Sequence, residues 1–320
     1  MTLRPARPLT TQSIHMGSAT HHTPTTPHGL TSRLLLLLVR IVGLMPFRLL
    51  YALSDLLYLL VYRLAGYRRG VVRRNLTEAF PEKSLREIVD IERGFYHYFT
   101  DMMVESCKLL TISHEEMMRR MTFSGVDTVN TLLAQGKSVA LYLGHYGNWE
   151  WITSVRLWLH KDAVPAQIYH KLSNEAMDRT MLTLRERMGS VCIDMYQTVR
   201  YMAQAARSGK PHIIGFIADQ SPKRREAHHF IPFLHHHTPV LTGTEKATKH
   251  FDYAAFFVGV RRLGRGRYTC ELSPLHPDPK TLPDFELTSL YFRRLEQQIR
   301  ECPELYLWTH KRFRYATKLP

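Results

Sequence analysis

The chain has 320 residues, a formal net charge of +15 and four cysteines. That length bounds it to one large domain or two small ones, with ample chain for a core. Cys107, Cys192, Cys270 and Cys302 are scattered and form no C-x-x-C. This argues against a disulfide scaffold or a cysteine zinc site and fits a reducing compartment, while the charge points to nucleic acid, an anionic membrane surface or an acidic protein partner.

Residues 1–30 are rich in Thr, His and Pro and hold no acidic residue. They read as a disordered head, or as an over-extension with the start at Met16 or later. Residues 31–66 form an anchoring segment, and residues 67–320 the main domain. Within the anchor, residues 31–65 are apolar but interrupted by Arg40, Arg48 and Asp55. On a helical wheel Arg33, Arg40, Arg48 and Asp55 fall within about 80° of one another, with Pro46 breaking the phase. The pattern suits a helix or helical hairpin lying in, or crossing, a membrane, and a buried helix pair is the alternative. Arg68, Arg69, Arg73 and Arg74 follow directly, a basic cluster of the kind that marks the cytoplasmic side and attracts anionic lipid.

Ser84-x-x-Glu87 is a capping box that opens a helix to about Leu110, and Ser113-x-x-Glu116 is another. Phe123–Ala134 reads as a short helix closed by Gln135-Gly136. Strands are expected at Ser138–Leu143, Val164–Tyr169, Val191–Ile193 and His212–Ala218. Helices are expected at Ser173–Met188 and Gln197–Arg207. This alternation predicts an α/β fold with a mixed, largely parallel central sheet flanked by helices. Thr242–Phe251, Tyr253–Val260, Arg267–Ser273, Phe285–Arg300 and Pro303–Phe313 continue as helix, strand, strand, helix and a helical or irregular tail.

The stretch SVALYLGHYGNWEW, Ser138–Trp151, carries the chemistry. His145 stands at the mouth of a strand, and a helix-compatible run begins at Trp149. Sites in α/β folds are built at the carboxyl ends of strands. On one continuous helix His145 and Glu150 would be rotated about 140° apart. Gly144 and Gly147 let the chain fold back so that the two can meet. A carboxylate on one ring nitrogen fixes the tautomer, and the other nitrogen can take a proton from a hydroxyl. The same His-x4-Glu spacing recurs at His170/Glu175, without the strand, glycines and cap.

Asp219 and Gln220 end another strand and could orient a substrate or brace the site, or form a turn before Ser-Pro. Lys171, Arg185 and Arg187 could bind phosphate or a developing oxyanion, or line solvated helix faces. The cluster His228, His229, His235, His236 and His237 matches no zinc spacing, and a solvated or interfacial loop is expected there. No Gly-x-Ser-x-Gly elbow, Walker A loop or GxGxxG follows a strand, which removes the commonest serine hydrolase, NTPase and dinucleotide readings.

GHYGNWEW, together with YRRGVVRRNLTEAFPE, RERMG, IADQSP followed by IPFL, and PELYLWTHKRFR, resembles the bacterial lipid A biosynthesis acyltransferase family, from about Leu34 to Arg314. The resemblance implies transfer of a fatty acyl group from acyl carrier protein to a hydroxyl of a lipid A precursor at the cytoplasmic face of the inner membrane. It implies His145 as general base and Glu150 as its acidic partner. Gly147 and Asn148 match the loop that shapes the site. Lys171, Arg185, Asp219 and Gln220 match substrate-binding positions, with Lys171 where many members have arginine. Phe233-Leu234-His235 stands where the family often has a Phe-Phe/Leu-Gly run. No metal or bound cofactor is expected, and direct transfer needs no acyl-enzyme. Another membrane glycolipid or aminolipid as acceptor, a basic nucleic-acid-binding protein and a histidine-loop metalloprotein remain as alternatives.

Overall fold

The structure, a computed structural model, describes residues 29–276 and 278–319. The expected disordered head lies outside these residues except for its last two. Residues 31–65 form two helices: α1, Leu30–Leu44, and α2, Phe47–Tyr58, which runs on into a π-helical turn, Leu59–Leu64. Pro46 caps α2 and cannot continue α1, because it has no N–H to donate. The two helical stretches meet at 119°. Among the described residues no single helix is long and apolar enough to cross a membrane, although the bent pair passes that test together.

The pair is turned with its small and polar residues inward. Ser32, Gly43, Leu50, Ser54 and Tyr58 are buried, while Leu34, Leu37, Leu38, Ile41, Leu44 and Leu56 are exposed. Leu50, Ser54 and Tyr58 recur every fourth residue and so form one stripe. That stripe packs on α4, Leu85–Lys108, where Ser54 donates to Asp101 at 2.6 Å. A Cβ on Gly43 would lie 2.6 Å from the Cys107 carbonyl, so only glycine lets α1 approach α4 this closely. In the chain between α2 and α4 comes α3, Arg69–Ala79, which also packs on α4. The Ser84–Glu87 capping box forms as expected and fixes the start of α4. The next helix, α5, His114–Arg120, is capped by Ser113.

A seven-stranded sheet follows. Its members are β1 (Met121–Ser124), β2 (Val139–Leu143), β3 (Val164–Tyr169), β4 (Val191–Asp194), β5 (His212–Ile217), β8 (Ala254–Gly264) and β9 (Arg267–His276). Spatially they run β1-β9-β8-β2-β5-β3-β4. β8, β2, β5, β3 and β4 are mutually parallel; β9 pairs antiparallel with β8 and parallel with β1. All five residues of the central β2 are buried, as its unbroken apolar run requires of a strand covered on both faces. The helices α6 (Val126–Ala134), α7 (Glu175–Glu186), α8 (Thr198–Arg207), α9 (Gly243–His250) and α10 (Glu286–Glu301) connect and flank it. The expected α/β architecture is the one observed.

Three local expectations are corrected. Phe123 opens no helix: it lies in β1 opposite Cys270 of β9, and Gly125 at φ 75° separates β1 from α6. The helix expected from Trp149 is a 3-10 helix, Trp151–Trp158. The histidine-rich loop is a hairpin of β6 (His229–Phe233) and β7 (His236–Val240), extended by the short β10 (Thr317–Lys318). Its turn residues Leu234 and His235 both have positive φ, 49° and 62°, the geometry of a tight two-residue hairpin turn. A glycine suits the second of these positions, which accounts for the glycine in the resembling family's motif.

Candidate active site

The register of the sheet assembles the site. β2 and β5 are parallel neighbours with Leu143 opposite Ile217. Two residues further along each chain stand His145 and Asp219. Parallel strands lie about 4.8 Å apart, within reach of a side-chain hydrogen bond. The imidazole Nδ1 of His145 lies 2.7 Å from Asp219 Oδ1, and the His145 backbone N–H donates to Asp219 Oδ2 at 3.2 Å. An ionised carboxylate only accepts, so the network assigns the proton to Nδ1 and leaves Nε2 with its lone pair free. The Gln220 amide nitrogen faces Nε2 at 3.4 Å, consistent with that tautomer. The imidazole is 19% exposed and the carboxylate 2%.

Burial alone would raise the Asp219 carboxyl. The charge and two hydrogen bonds of His145, with the buried Arg312 guanidinium nearby, outweigh it and hold the group below the usual carboxylate range. Arg312 donates through Nη1 to Ser221 Oγ, Thr238 Oγ1 and the Pro239 carbonyl at 3.2–3.3 Å. Its ring neighbours Phe233 and Phe292 keep it dry.

The expected partnership of His145 with Glu150 is not the one observed. Glu150 receives two hydrogen bonds from Arg185, in the last turn of α7, at 2.6 and 2.8 Å. Its remaining contact is the Trp149 indole N–H at 3.2 Å. Trp149 stands edge-on to the His145 ring at 5.3 Å, so it lies between the two motif residues. The reason is strand order: β5 inserts next to β2 and brings Asp219 to the nitrogen first. A bidentate guanidinium pair is a strong, planar match for a carboxylate, and it takes up Glu150 instead. Burial lowers the Arg185 guanidinium's affinity for its proton, but Glu150 more than restores it.

Gly147 and Asn148 shape the loop rather than face a ligand. Gly147 has φ 59°, and a Cβ there would lie 2.5 Å from Val260 Cγ1. Its N–H donates to the Leu305 carbonyl and its carbonyl accepts from the Tyr98 hydroxyl. Asn148 is fully buried. It accepts from the Trp151 N–H at the start of the 3-10 helix and donates to Glu105 of α4 at 2.8 Å. The Leu307 N–H donates to the His145 carbonyl at 3.0 Å, so the C-terminal chain straps the loop from the other side. Lys171 is exposed on the loop after β3, and Arg187 lies on the surface against His114 at 3.4 Å.

Trp149, His310 and Arg312 have no role that the sequence alone assigns. The last two lie in the PELYLWTHKRFR motif, whose density of aromatic and cationic residues was the available signal. The Ser221 N–H donates to His310 Nε2 at 3.1 Å. Burial, helped by Arg312, pushes His310 down to about 4. Two hairpin histidines pack on rings: His229 lies tilted over Phe285, and His236 stacks on Phe313 while bonding the Leu234 carbonyl, whereas His235 is exposed 3.6 Å from Glu82. No group of three or more metal-ligating side chains gathers among the described residues.

A histidine held by a carboxylate at adjoining strand ends, with its second nitrogen facing the Gln220 amide, is an arrangement that can take a proton from a hydroxyl. The comparisons with known proteins agree in class. Residues 22–315 match the model of the bacterial lipid A biosynthesis acyltransferase family, and the chain belongs to that family. A lipid A biosynthesis acyltransferase of Haemophilus influenzae is 20% identical over 273 residues, covering 84% of this chain and 82% of the relative. The chain is an acyltransferase of lipid A synthesis, and a lipid A precursor is the substrate its family implies.

Proposed function

We propose that the protein transfers a fatty acyl group directly from the thioester of acyl carrier protein to a hydroxyl of a lipid A precursor, with His145 as general base. The carrying observation is the 2.7 Å contact from His145 Nδ1 to Asp219, which leaves Nε2 as the acceptor. Nε2 takes the proton of the acceptor hydroxyl as its oxygen attacks the thioester carbonyl. The new C–O bond forms, the C–S bond breaks, and the proton passes from Nε2 to the departing thiolate. Asp219 holds the tautomer and stabilises the imidazolium. In this reading the Glu150–Arg185 pair acts at one remove: it fixes Trp149 beside the ring and puts a guanidinium near the transferring group. Direct transfer needs no activated nucleophile on the protein, and Cys192, the thiol near Arg185, is pushed up to about 12 by burial, far from a thiolate at neutral pH. The reaction needs no metal or bound cofactor in this scheme.

The leucine face of α1 and α2 supports a seat in a membrane interface, and membership of the lipid A acyltransferase family is the reason for placing that seat on the inner membrane with the site on the cytoplasmic side. A soluble protein rarely leaves so many contiguous leucines uncovered. The test is to incubate purified protein with labelled acyl carrier protein thioester and the lipid precursor in anionic vesicles. One added acyl chain by mass spectrometry, with the protein floating with the vesicles, supports the reading. Transfer from no carrier-protein thioester, or protein left in the aqueous fraction, contradicts it.

A further inference from the structure

The basic cluster after the anchor does not form a uniform collar. Arg73 donates two hydrogen bonds to the buried Glu92, Arg69 lies 3.7 Å from the same carboxylate, and Arg74 pairs with Glu78 at 3.0 Å. Arg68 is the exception. It precedes α3 at φ 55° and donates through Nη1 to the Thr309 carbonyl at 2.9 Å. Asn75 of α3 donates to the carbonyls of Trp308 and His310 at 2.8 and 2.7 Å. These bonds fasten the C-terminal chain across α3 and create a cleft between them.

The cleft has two connected lobes, of about 890 and 430 Å³, that share Arg68, Lys311 and Arg314. None of these three forms an ion pair among the described residues, and all are exposed. The smaller lobe adds Lys223 and Arg224 and has no carboxylate in its lining. The larger has one, Glu78, already paired. The first turn of α3 carries no acidic residue, so its dipole adds positive potential to the same space. Unneutralised cations in a concave wall attract a polyanion far more strongly than the same charges spread on a convex surface. The smaller lobe is also lined by Ser221, the residue after Gln220, and by His310, which accepts from the Ser221 N–H. The cation cluster therefore begins one residue from a side chain that faces the His145 ring.

We propose that this cleft is a phosphate-binding subsite that seats a phosphorylated substrate of the transfer beside His145. The inference deepens the proposed acyl transfer and rests on it for the word substrate. The ligand chemistry is a phosphate ester. It has two sources, a phosphate on the acceptor's sugar headgroup and the phosphodiester of the carrier protein's pantetheine arm. Guanidinium groups bind such oxygens in pairs, and lysine adds a point charge.

The test uses the full chain with Arg68→Gly and the double variant Lys311→Gln/Arg314→Gln. Glycine is at ease at φ 55°, so the first variant leaves the backbone unstrained there, but it also removes the bond to the Thr309 carbonyl, so its thermal unfolding is measured beside the parent's and the double variant, which touches no such bond, carries the test. Kinetics are run with acceptor before and after phosphatase treatment, and with donor as an acyl 4′-phosphopantetheine thioester or as the phosphate-free acyl pantetheine thioester. The double variant should raise KM for one phosphorylated substrate roughly tenfold or more, with a smaller change in kcat. The variant and the parent should converge when that substrate's phosphate is removed. Convergence in the acceptor arm assigns the headgroup, and convergence in the donor arm assigns the pantetheine phosphodiester. Equal KM values across both variants and all four substrates overturn the subsite. Inorganic pyrophosphate provides a readout independent of transfer. It should raise the melting temperature of the parent and not of the double variant; equal shifts in both overturn the cleft as an anion site even if acyl transfer itself stands.

Discussion

Asp219→Asn separates the geometry of the site from its charge. The carboxylate uses one oxygen for the His145 ring and the other for the His145 backbone N–H. Asparagine has one oxygen. If that oxygen keeps the backbone N–H, the amide nitrogen faces Nδ1 and donates to it, which places the ring proton on Nε2 and abolishes the base. If the oxygen keeps the ring, the backbone N–H meets an amide N–H and the loop shifts. In either case the imidazolium loses a charge partner. Opposite unit charges roughly 4 Å apart contribute about 4 kcal/mol at an effective dielectric near 20. That corresponds to about a thousandfold in rate. Single-turnover transfer from acyl carrier protein, measured by quenched flow at saturating acceptor, reads the loss directly. Thermal unfolding of the same variant checks that the fold survives. A rate within about threefold of the parent would refute the reasoning, since no tautomer or charge argument could then hold.

Three further outcomes are expected. Glu150→Gln leaves the Arg185 guanidinium half-paired in a buried setting and should destabilise the protein by about 3 kcal/mol, whereas Glu150→Gln/Arg185→Met should recover stability but not activity, as chemical denaturation and transfer assays will report. Stability should fall with acid between about pH 6.5 and 4, because the unfolded chain takes up protons at positions such as His310 that the folded chain refuses. Asp219, depressed in the fold, loses its contribution only below that window, as pH falls through its folded value. His310→Gln keeps an acceptor for the Ser221 N–H and should flatten the slope by at most about 3 kcal/mol, a bound reduced by the ring's partial exposure. His97 and His212 are also lowered by burial and should keep a residual slope; an unchanged slope in denaturation midpoints would exclude His310 as a contributor. His235→Gly should raise stability by up to about 1 kcal/mol by relieving a left-handed non-glycine residue, and a lower melting temperature would contradict that account of the hairpin turn.

Much of the sheet is legible in the sequence because its parallel strands are short apolar runs closed by glycine or polar residues. Val164–Tyr169 is recovered to the residue, and β2, β4 and β5 to within one or two. Phe123 reads as part of the following helix because β1 has four residues, too few for period-two alternation to declare itself. The β6–β7 hairpin was hidden because its turn, Leu234-His235, contains neither glycine nor asparagine. The site shows the sharper limit. His145 could be found because a strand, two glycines and a cap surround it. Its partner could not, because β3 and β4 intervene in the chain between β2 and β5, and only the sheet order makes them neighbours. Spacing along the chain favoured Glu150, while spacing across strands selected Asp219.

The central claim is that His145 removes the acceptor's proton in a direct transfer. Its most direct test is single-turnover acyl transfer by purified His145→Gln, with substrate affinities measured alongside. The account predicts a fall of at least about a thousandfold in rate with little change in binding of either substrate. Transfer at a near-parental rate would contradict it.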